Sequence, residues 1–186
     1  RLWVDYDRQA IQNNDENYKG IPQRLANAFI AVEDQRFETH YGVDWKRTIS
    51  AVGNELFEFS ETEFGGSSIT QQLIKNITAD KSRDYARKMR EIIRALYVET
   101  QLSKTDILEA YLNTIALGNG ICGVQVAANY YFGKSVSELT LPEASLLAGL
   151  FQAPNRHNPY KNIESAVSEI VDNSIEANAK NVFIIL

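Results

Sequence analysis

Several things the chain has little of narrow what it can be. It has a single cysteine, Cys122, so no disulfide closes within it. It has two histidines, His40 and His157, a poor basis for a multi-histidine metal site. Ten glycines and four prolines in 186 residues are too few for a collagenous or linker-rich chain. No apolar run approaches the roughly 18 residues that a membrane span needs. Positive charge is in deficit, with 19 Lys and Arg against 24 Asp and Glu, a formal net charge of -5. That balance argues against a globally basic nucleic-acid binder, while leaving room for a local basic patch. No secretory leader is recognisable. Arg1 at the start and the apolar Phe183-Ile184-Ile185-Leu186 at the end read as cut points.

What is present is the composition of a packed domain, 44% hydrophobic and 23% charged. Residues 1–20 are polar and read as an extended N-terminal segment. Ile21-Pro22 opens a helix, since proline suits a first turn, and Leu25, Phe29 and Val32 follow on one helical stripe. Trp45, Ile49, Val52 and Leu56 suit a second helix. Gly65-Gly66-Ser67-Ser68 breaks the chain, and Ser68 can cap a helix through Ile69–Asn76. Residues 83–101 read as strongly helical with Met89, Ile92, Ile93, Leu96 and Tyr97 inward. Ser103 with Asp106 and Thr140 with Glu143 have the spacing of capping boxes. Gly118-Asn119-Gly120 and Gly123 make a turn-rich loop before an Ala-rich helix that ends at Gly133. Almost nothing alternates with period two and no repeat is visible, so the expected class is all-α.

Four blocks carry polar residues that core packing does not demand. The first is Glu33-Asp34-Gln35-Arg36-Phe37-Glu38-Thr39-His40-Tyr41-Gly42. The second is Gly65-Gly66-Ser67-Ser68-Ile69-Thr70-Gln71-Gln72-Leu73-Ile74-Lys75-Asn76. The third holds Arg83, Arg87, Lys88 and Arg90, with Glu91 one turn beyond Arg87 on the same helix face. The fourth is Lys104-Thr105-Asp106-Ile107-Leu108-Glu109-Ala110-Tyr111-Leu112-Asn113. Singly, each reads as a solvated helix end, a glycine turn with a capped helix, an ion-paired face and a packing helix.

Together they resemble the peptidoglycan glycosyltransferases of glycosyltransferase family 51, found as stand-alone enzymes and as the transglycosylase module of class A penicillin-binding proteins. The family patterns E-D-x-x-F-x-x-H-x-G, G-x-S-T-I-T-Q-Q-x-x-K-N, R-K-x-x-E and K-x-x-I-L-E-x-Y-L-N all occur here in the family's order. Tyr131-Phe132-Gly133-Lys134, Leu139-Thr140-Leu141-Pro142-Glu143-Ala144 and Leu147-Ala148-Gly149 extend the match. One departure is Ser68, where the family usually has Thr. The resemblance covers about residues 20–162. Three segments follow: 1–20 as N-terminal segment, 21–162 as the glycosyltransferase domain, and 163–186 as an atypical tail.

The resemblance implies a lysozyme-like all-α fold with a small, mobile, membrane-facing lobe. The implied reaction joins lipid-linked disaccharide-pentapeptide (lipid II) to a glycan carried on polyprenyl diphosphate, with inversion. Glu33 is implied as the general base for the acceptor hydroxyl. The departing diphosphate is already a stable anion, so it needs cations and hydrogen-bond donors rather than a protonating acid. Lys75, Arg83, Arg87 and Lys88 are of the right type. Glu91 is implied as the second essential carboxylate, orienting Arg87 or helping to hold a divalent cation. Asp34 is expected to position its neighbours, and Gln71, Gln72 and Asn76 to donate to sugar or phosphate oxygens. No cofactor is required, a magnesium ion near the diphosphate stays an open alternative, and no residue is assigned as a metal ligand. The implied partners are lipid II, the growing glycan, the membrane surface on its extracytoplasmic side and a transpeptidase domain in the parent protein, with no nucleic acid.

The stretch 43–64, with Trp45, Phe57, Phe59 and Phe64, suits the headgroup layer or else an aromatic core. The tail resembles instead the first helix of a Bergerat-type ATPase, with Glu169 and Asn173 at that family's functional positions. It lacks the glycine motifs of a nucleotide site, and no ATP binding is expected. The competing functions are a lytic glycan-cleaving enzyme, which would not need the basic cluster, and an inactive membrane-side scaffold.

Overall fold

A computed structural model describes residues 21–50, 66–78, 82, 85–118, 120–152 and 163–176, with the side chains of 169 and 174–176 outside the description. The elements are α1 (Gln23–Glu33), α2 (Ile69–Thr78), α3 (Tyr85–Gln101), α4 (Lys104–Thr114), α5 (Val124–Phe132), a 3-10 turn at Val136–Glu138, α6 (Leu141–Gln152) and α7 (Ile163–Glu176). A further helical stretch is described over 45–50. Every named element is helical, as the helical stripes and the near-absence of period-two alternation predict. Among the described residues no helix is long and apolar enough to cross a membrane. The expected N-terminal segment 1–20, most of the expected membrane-facing stretch (51–64) and Arg83 lie outside the described residues.

The chain divides into two units. The first comprises Arg1–Glu33 with Leu112–Leu186. Its centre is α6, where Ala144 to Leu150 are all buried, as expected of a helix covered on every side. It packs against α1, α5 and α7. The Pro22 carbonyl accepts the N–H groups of Leu25 and Ala26, so the proline opens α1 where its missing N–H costs nothing. Leu25 and Phe29 of α1 are fully buried. Arg24 donates to the carbonyls of Ser137 and Leu139, tying α1 to the 3-10 turn. Thr140 and Glu143 form the expected box at the start of α6 (Thr140 N–H to Glu143 Oε2, 2.7 Å). Gly133 ends α5 in the left-handed conformation, φ 64°. The loop before α5 closes through a single antiparallel bridge, Ala116 to Cys122.

Helix α7 is part of this unit, packed on α6 and α1. Ala166 is buried, and the buried Asn173 donates through Nδ2 to the Ser145 carbonyl (3.1 Å). The Asn173 amide is therefore turned into the helix packing. The side chain of Glu169 lies outside the description.

The second unit comprises Asp34–Tyr111. Helix α3 packs against α2. Val43, Ile74 and Ala95 form a small core with Ile92 and Val98 against it. This differs from the expected inward set on α3. Met89, Ile93 and Tyr97 are 56%, 61% and 65% exposed, and Leu96 is also exposed. The reason is tertiary: the face carrying Glu91 and Ala95 is the one that packs. Ala95 is small enough for the Gly42 backbone to lie directly against the helix. A Cβ on Gly42 (φ +72°) would stand 2.6 Å from the Ala95 carbonyl oxygen.

Candidate active site

The site is built from the polar blocks of the second unit, beginning at Asp34. Its side chain is buried, and one oxygen, Oδ2, accepts the Ile69 N–H (3.0 Å) and the His40 Nε2–H (2.8 Å). The carboxylate thus sits at the start of α2, where the helix dipole favours negative charge, and ties the first polar block to the second. His40 is held further by Lys104, whose Nζ donates to the His40 carbonyl (2.6 Å) and to Glu99 Oε1 (2.8 Å). That ammonium also lies 4.5 Å from the Phe37 ring centroid. The fourth polar block therefore does more than pack, because its first residue fixes the turn that follows Asp34.

Helix α2 starts in a capping box. Ser68 Oγ accepts the Gln71 N–H (3.1 Å), and Gln71 Oε1 accepts the Ser68 N–H (3.1 Å). The Ser68 hydroxyl also donates to the Gly42 carbonyl (2.6 Å). The hydroxyl is all that this geometry uses, which accounts for serine serving where the family pattern has threonine.

The other end of the Gln71 carboxamide, Nε2, donates to Glu91 Oε1 (3.3 Å). Glu91 is only 5% exposed and gathers three donors. Arg87 Nη1 reaches Oε2 (3.0 Å), and Lys88 Nζ reaches Oε1 (2.5 Å) while also donating to Ser67 Oγ (2.8 Å). A carboxylate this buried is stable as an anion only with such compensation. Of the two expected roles for Glu91, orienting Arg87 matches what the side chain touches. The donor set does not fit a metal ion at this carboxylate, since both oxygens face cationic or amide N–H groups. No group of three or more His, Cys, Asp or Glu side chains able to hold a metal occurs among the described residues.

A small open pocket lies beside this cluster, lined by Ile74, Lys75, Thr78, Arg87, Glu91 and Arg94. Lys75 and Arg87 are brought together there as the motifs suggest. Arg94 is an addition that no motif marks. Lys88 is not among the lining residues, being engaged by Ser67 and Glu91. Gln71 is wholly buried, and its carboxamide is engaged by the Ser68 N–H and by Glu91. Gln72 is half-buried, and its Oε1 accepts the Tyr111 hydroxyl (3.1 Å). Asn76 is exposed on α2. Arg83 lies outside the described residues. Glu33 is the last residue of α1 and is 6% exposed.

Close by, Arg36 makes a two-pronged contact with Asp44, Nε to Oδ2 (2.8 Å) and Nη2 to Oδ1 (3.0 Å). Asp44 also accepts the Arg47 N–H (3.1 Å), capping the helix over 45–50. Burial works against ionising Asp44. The Arg47 N–H and the Arg36 guanidinium outweigh it and hold the carboxyl below the usual carboxylate range.

Against known proteins, a family model described as Transglycosylase matches residues 4–177. The chain is 42% identical over 145 residues to penicillin-binding protein 1A of Pseudomonas aeruginosa, covering 78% of this chain and 18% of that protein. It is 43% identical over 139 residues to penicillin-binding protein 1F of Bacillus subtilis, covering 75% and 19%. It is 45% identical over 147 residues to penicillin-binding protein 1A of Neisseria gonorrhoeae, covering 78% and 18%. The chain thus spans about a fifth of the length of these relatives.

Proposed function

Because the chain belongs to the transglycosylase family, we propose that this domain polymerises lipid II into glycan strands, with inversion at the anomeric carbon and release of polyprenyl diphosphate. Glu33 takes the proton from the acceptor 4-hydroxyl as that oxygen attacks, a contribution of about 10²–10⁴-fold. The C1–O bond to diphosphate breaks, and the electron pair leaves on an oxygen that needs no proton. What the step needs is fixed positive charge where the anion forms.

The observation that carries this reading is the pocket in which Lys75 and Arg87 stand beside the buried Glu91. Glu91 holds Arg87 by a 3.0 Å ion pair one helical turn away. Gln71 and Lys88 fix the carboxylate itself. In this reading the diphosphate charge is assigned to side chains. Asp34 acts by fixing the start of α2 rather than by touching substrate. Gln72 and Asn76 are assigned to sugar or phosphate oxygens.

The substrate is a lipid, so we place the domain at the extracytoplasmic membrane surface, within a longer protein of the penicillin-binding type that carries a transpeptidase domain. Trp45 and Ile49, both exposed and four residues apart in the helical stretch 45–50, are assigned to the headgroup layer.

The test supplies lipid II in detergent to wild type and Glu33→Gln and resolves the products by size. Polymer from wild type alone is expected. Release of short fragments from preformed glycan, with no polymer from lipid II, would make the protein a lytic enzyme and overturn the reading.

A further inference from the structure

We propose that Arg94 is a further diphosphate-binding residue, completing the cation set of the pocket; the proposal rests on the polymerase reading above. The motif of the third polar block stops at Glu91 and does not reach this position. On α3, however, residues 87, 91 and 94 follow the i, i+4, i+7 spacing that keeps side chains on one stripe. All three line the pocket, with Lys75, Ile74 and Thr78 of α2 on its other side.

The charge arithmetic of the lining is unbalanced. Lys75, Arg87 and Arg94 stand against the single carboxylate of Glu91, leaving a formal excess of two positive charges. Arg87 is already paired with Glu91 (3.0 Å), whose other oxygen faces Lys88 and Gln71. Among the described residues, the side chains of Lys75 and Arg94 have neither an ion pair nor a hydrogen bond, and both residues are exposed. Gathering like charges around one concavity without counter-charge costs stability through self-repulsion. An anion placed between them removes that cost.

The geometry also indicates the class of anion. The two uncompensated cations come from different helices, one on each side of the opening, which suits a ligand with two adjacent anionic groups. An arginine fork grips two phosphoryl oxygens at once, and a lysine adds a point charge. Arg90, on the same helix, provides the contrast: its Nη2 donates to Ser82 Oγ (3.2 Å) and it does not line the pocket.

The experiment has two arms, run on wild type, Arg94→Ala, Arg94→Lys and Arg90→Ala, with a melting curve for each to show that it folds. One arm titrates inorganic diphosphate calorimetrically at fixed ionic strength. The other measures kcat and KM for lipid II polymerisation. Loss of one charge-assisted phosphate contact corresponds to about tenfold in affinity. Arg94→Ala is therefore expected to weaken diphosphate binding and raise KM by about that factor, with a smaller change in kcat. Arg94→Lys should recover part of the loss, and Arg90→Ala should match wild type.

If wild type polymerises lipid II and Arg94→Ala behaves like it in both arms, the inference fails while the polymerase reading stands. Equal losses in Arg94→Ala and Arg90→Ala would also overturn it, by showing an effect of net charge alone. Diphosphate binding that depends on Arg94 in a protein that makes no polymer would keep the anion site and reject the polymerase.

Discussion

The carboxamide of Gln71 donates to the carboxylate of Glu91 across the contact between α2 and α3 (Nε2···Oε1 3.3 Å). The same carboxamide accepts the Ser68 N–H at its other end, so one side chain both starts α2 and fixes the carboxylate that orients Arg87. Two polar motifs, through residues 20 positions apart in the chain, are thereby locked into one unit. Both partners are buried, which makes the contact expensive to break.

Gln71→Glu separates the two duties. A glutamate can still accept the Ser68 N–H, as in the usual capping box. It cannot donate to Glu91, and it puts a second carboxylate beside the first. The variant should be destabilised by about 1–3 kcal/mol at neutral pH. The repulsion acts only while both carboxylates are ionised, and a glutamate in the unfolded chain ionises around pH 4.3. The deficit should therefore grow as pH rises above that value and shrink as pH falls toward it. Urea unfolding of wild type and variant between pH 4 and 8 measures this. A deficit that does not change with pH would mean that the introduced carboxylate does not meet Glu91.

Gly42 should be far less replaceable than Gly120. Its φ is +72°, and an added Cβ would meet the Ala95 carbonyl at 2.6 Å, which is backbone and cannot swing away. Gly42→Ala is expected to cost about 3 kcal/mol or more, combining left-handed strain with overpacking. Gly120 has a similar φ of +76° but nothing within 4 Å of the added Cβ. Gly120→Ala should then cost only the conformational part, about 1–2 kcal/mol. Thermal melts of the two variants side by side give the comparison, and equal shifts would contradict the close approach.

How much of this could be read from the sequence depends on the range of the interaction. The boxes at Ser103/Asp106 and Thr140/Glu143 span three residues each and are found where the spacing places them. The left-handed end of α5 at Gly133 is equally local. The orientation of α3 is not local. Met89, Ile93, Leu96 and Tyr97 look like a core stripe by hydropathy, yet the helix turns the face of Glu91 and Ala95 inward, where the Gly42 backbone lies against the Ala95 carbonyl. The site shows the same division. The motifs mark Lys75, Arg87 and Glu91 by residue type and spacing, but only packing reveals that Gln71 is buried and that Arg94 joins the pocket. Lys104 could have been suspected from its place in the fourth block, but its bonds to His40 and Glu99 depend on the turn after Asp34.

Arg87 and Arg90 test whether the basic cluster is a site or a solvated face. Arg87 lines the pocket and pairs with Glu91, while Arg90 donates to Ser82. Arg87→Ala removes a pocket cation and also leaves a buried carboxylate with one donor fewer. Turnover on lipid II should fall by about 10²-fold or more, the scale seen when one stabilising donor is lost from a developing anion. Arg90→Ala should stay within a few-fold of wild type. Initial rates of polymer formation at saturating lipid II decide the matter, and equal losses would reduce the cluster to a solvated surface.

Asp44 sets an acid limit on the second unit. Burial alone would favour its neutral form, but the Arg47 N–H and the Arg36 guanidinium hold the folded-state pKa below the ordinary carboxylate value of about 3.9. With the folded pKa lower than the unfolded one, the unfolded chain takes up the proton first as pH falls. The stabilisation is therefore fully present above the unfolded value and is lost as pH drops through the folded one. Asp44→Asn keeps an oxygen to cap the Arg47 N–H but removes the charge that Arg36 grips. The variant should melt a few degrees below wild type at pH 7, and the gap should close as pH falls below about 4. Melting temperatures from pH 7 down to pH 3 test this. A gap that stays constant across that range would assign the contribution of Asp44 to shape and capping instead of its charge.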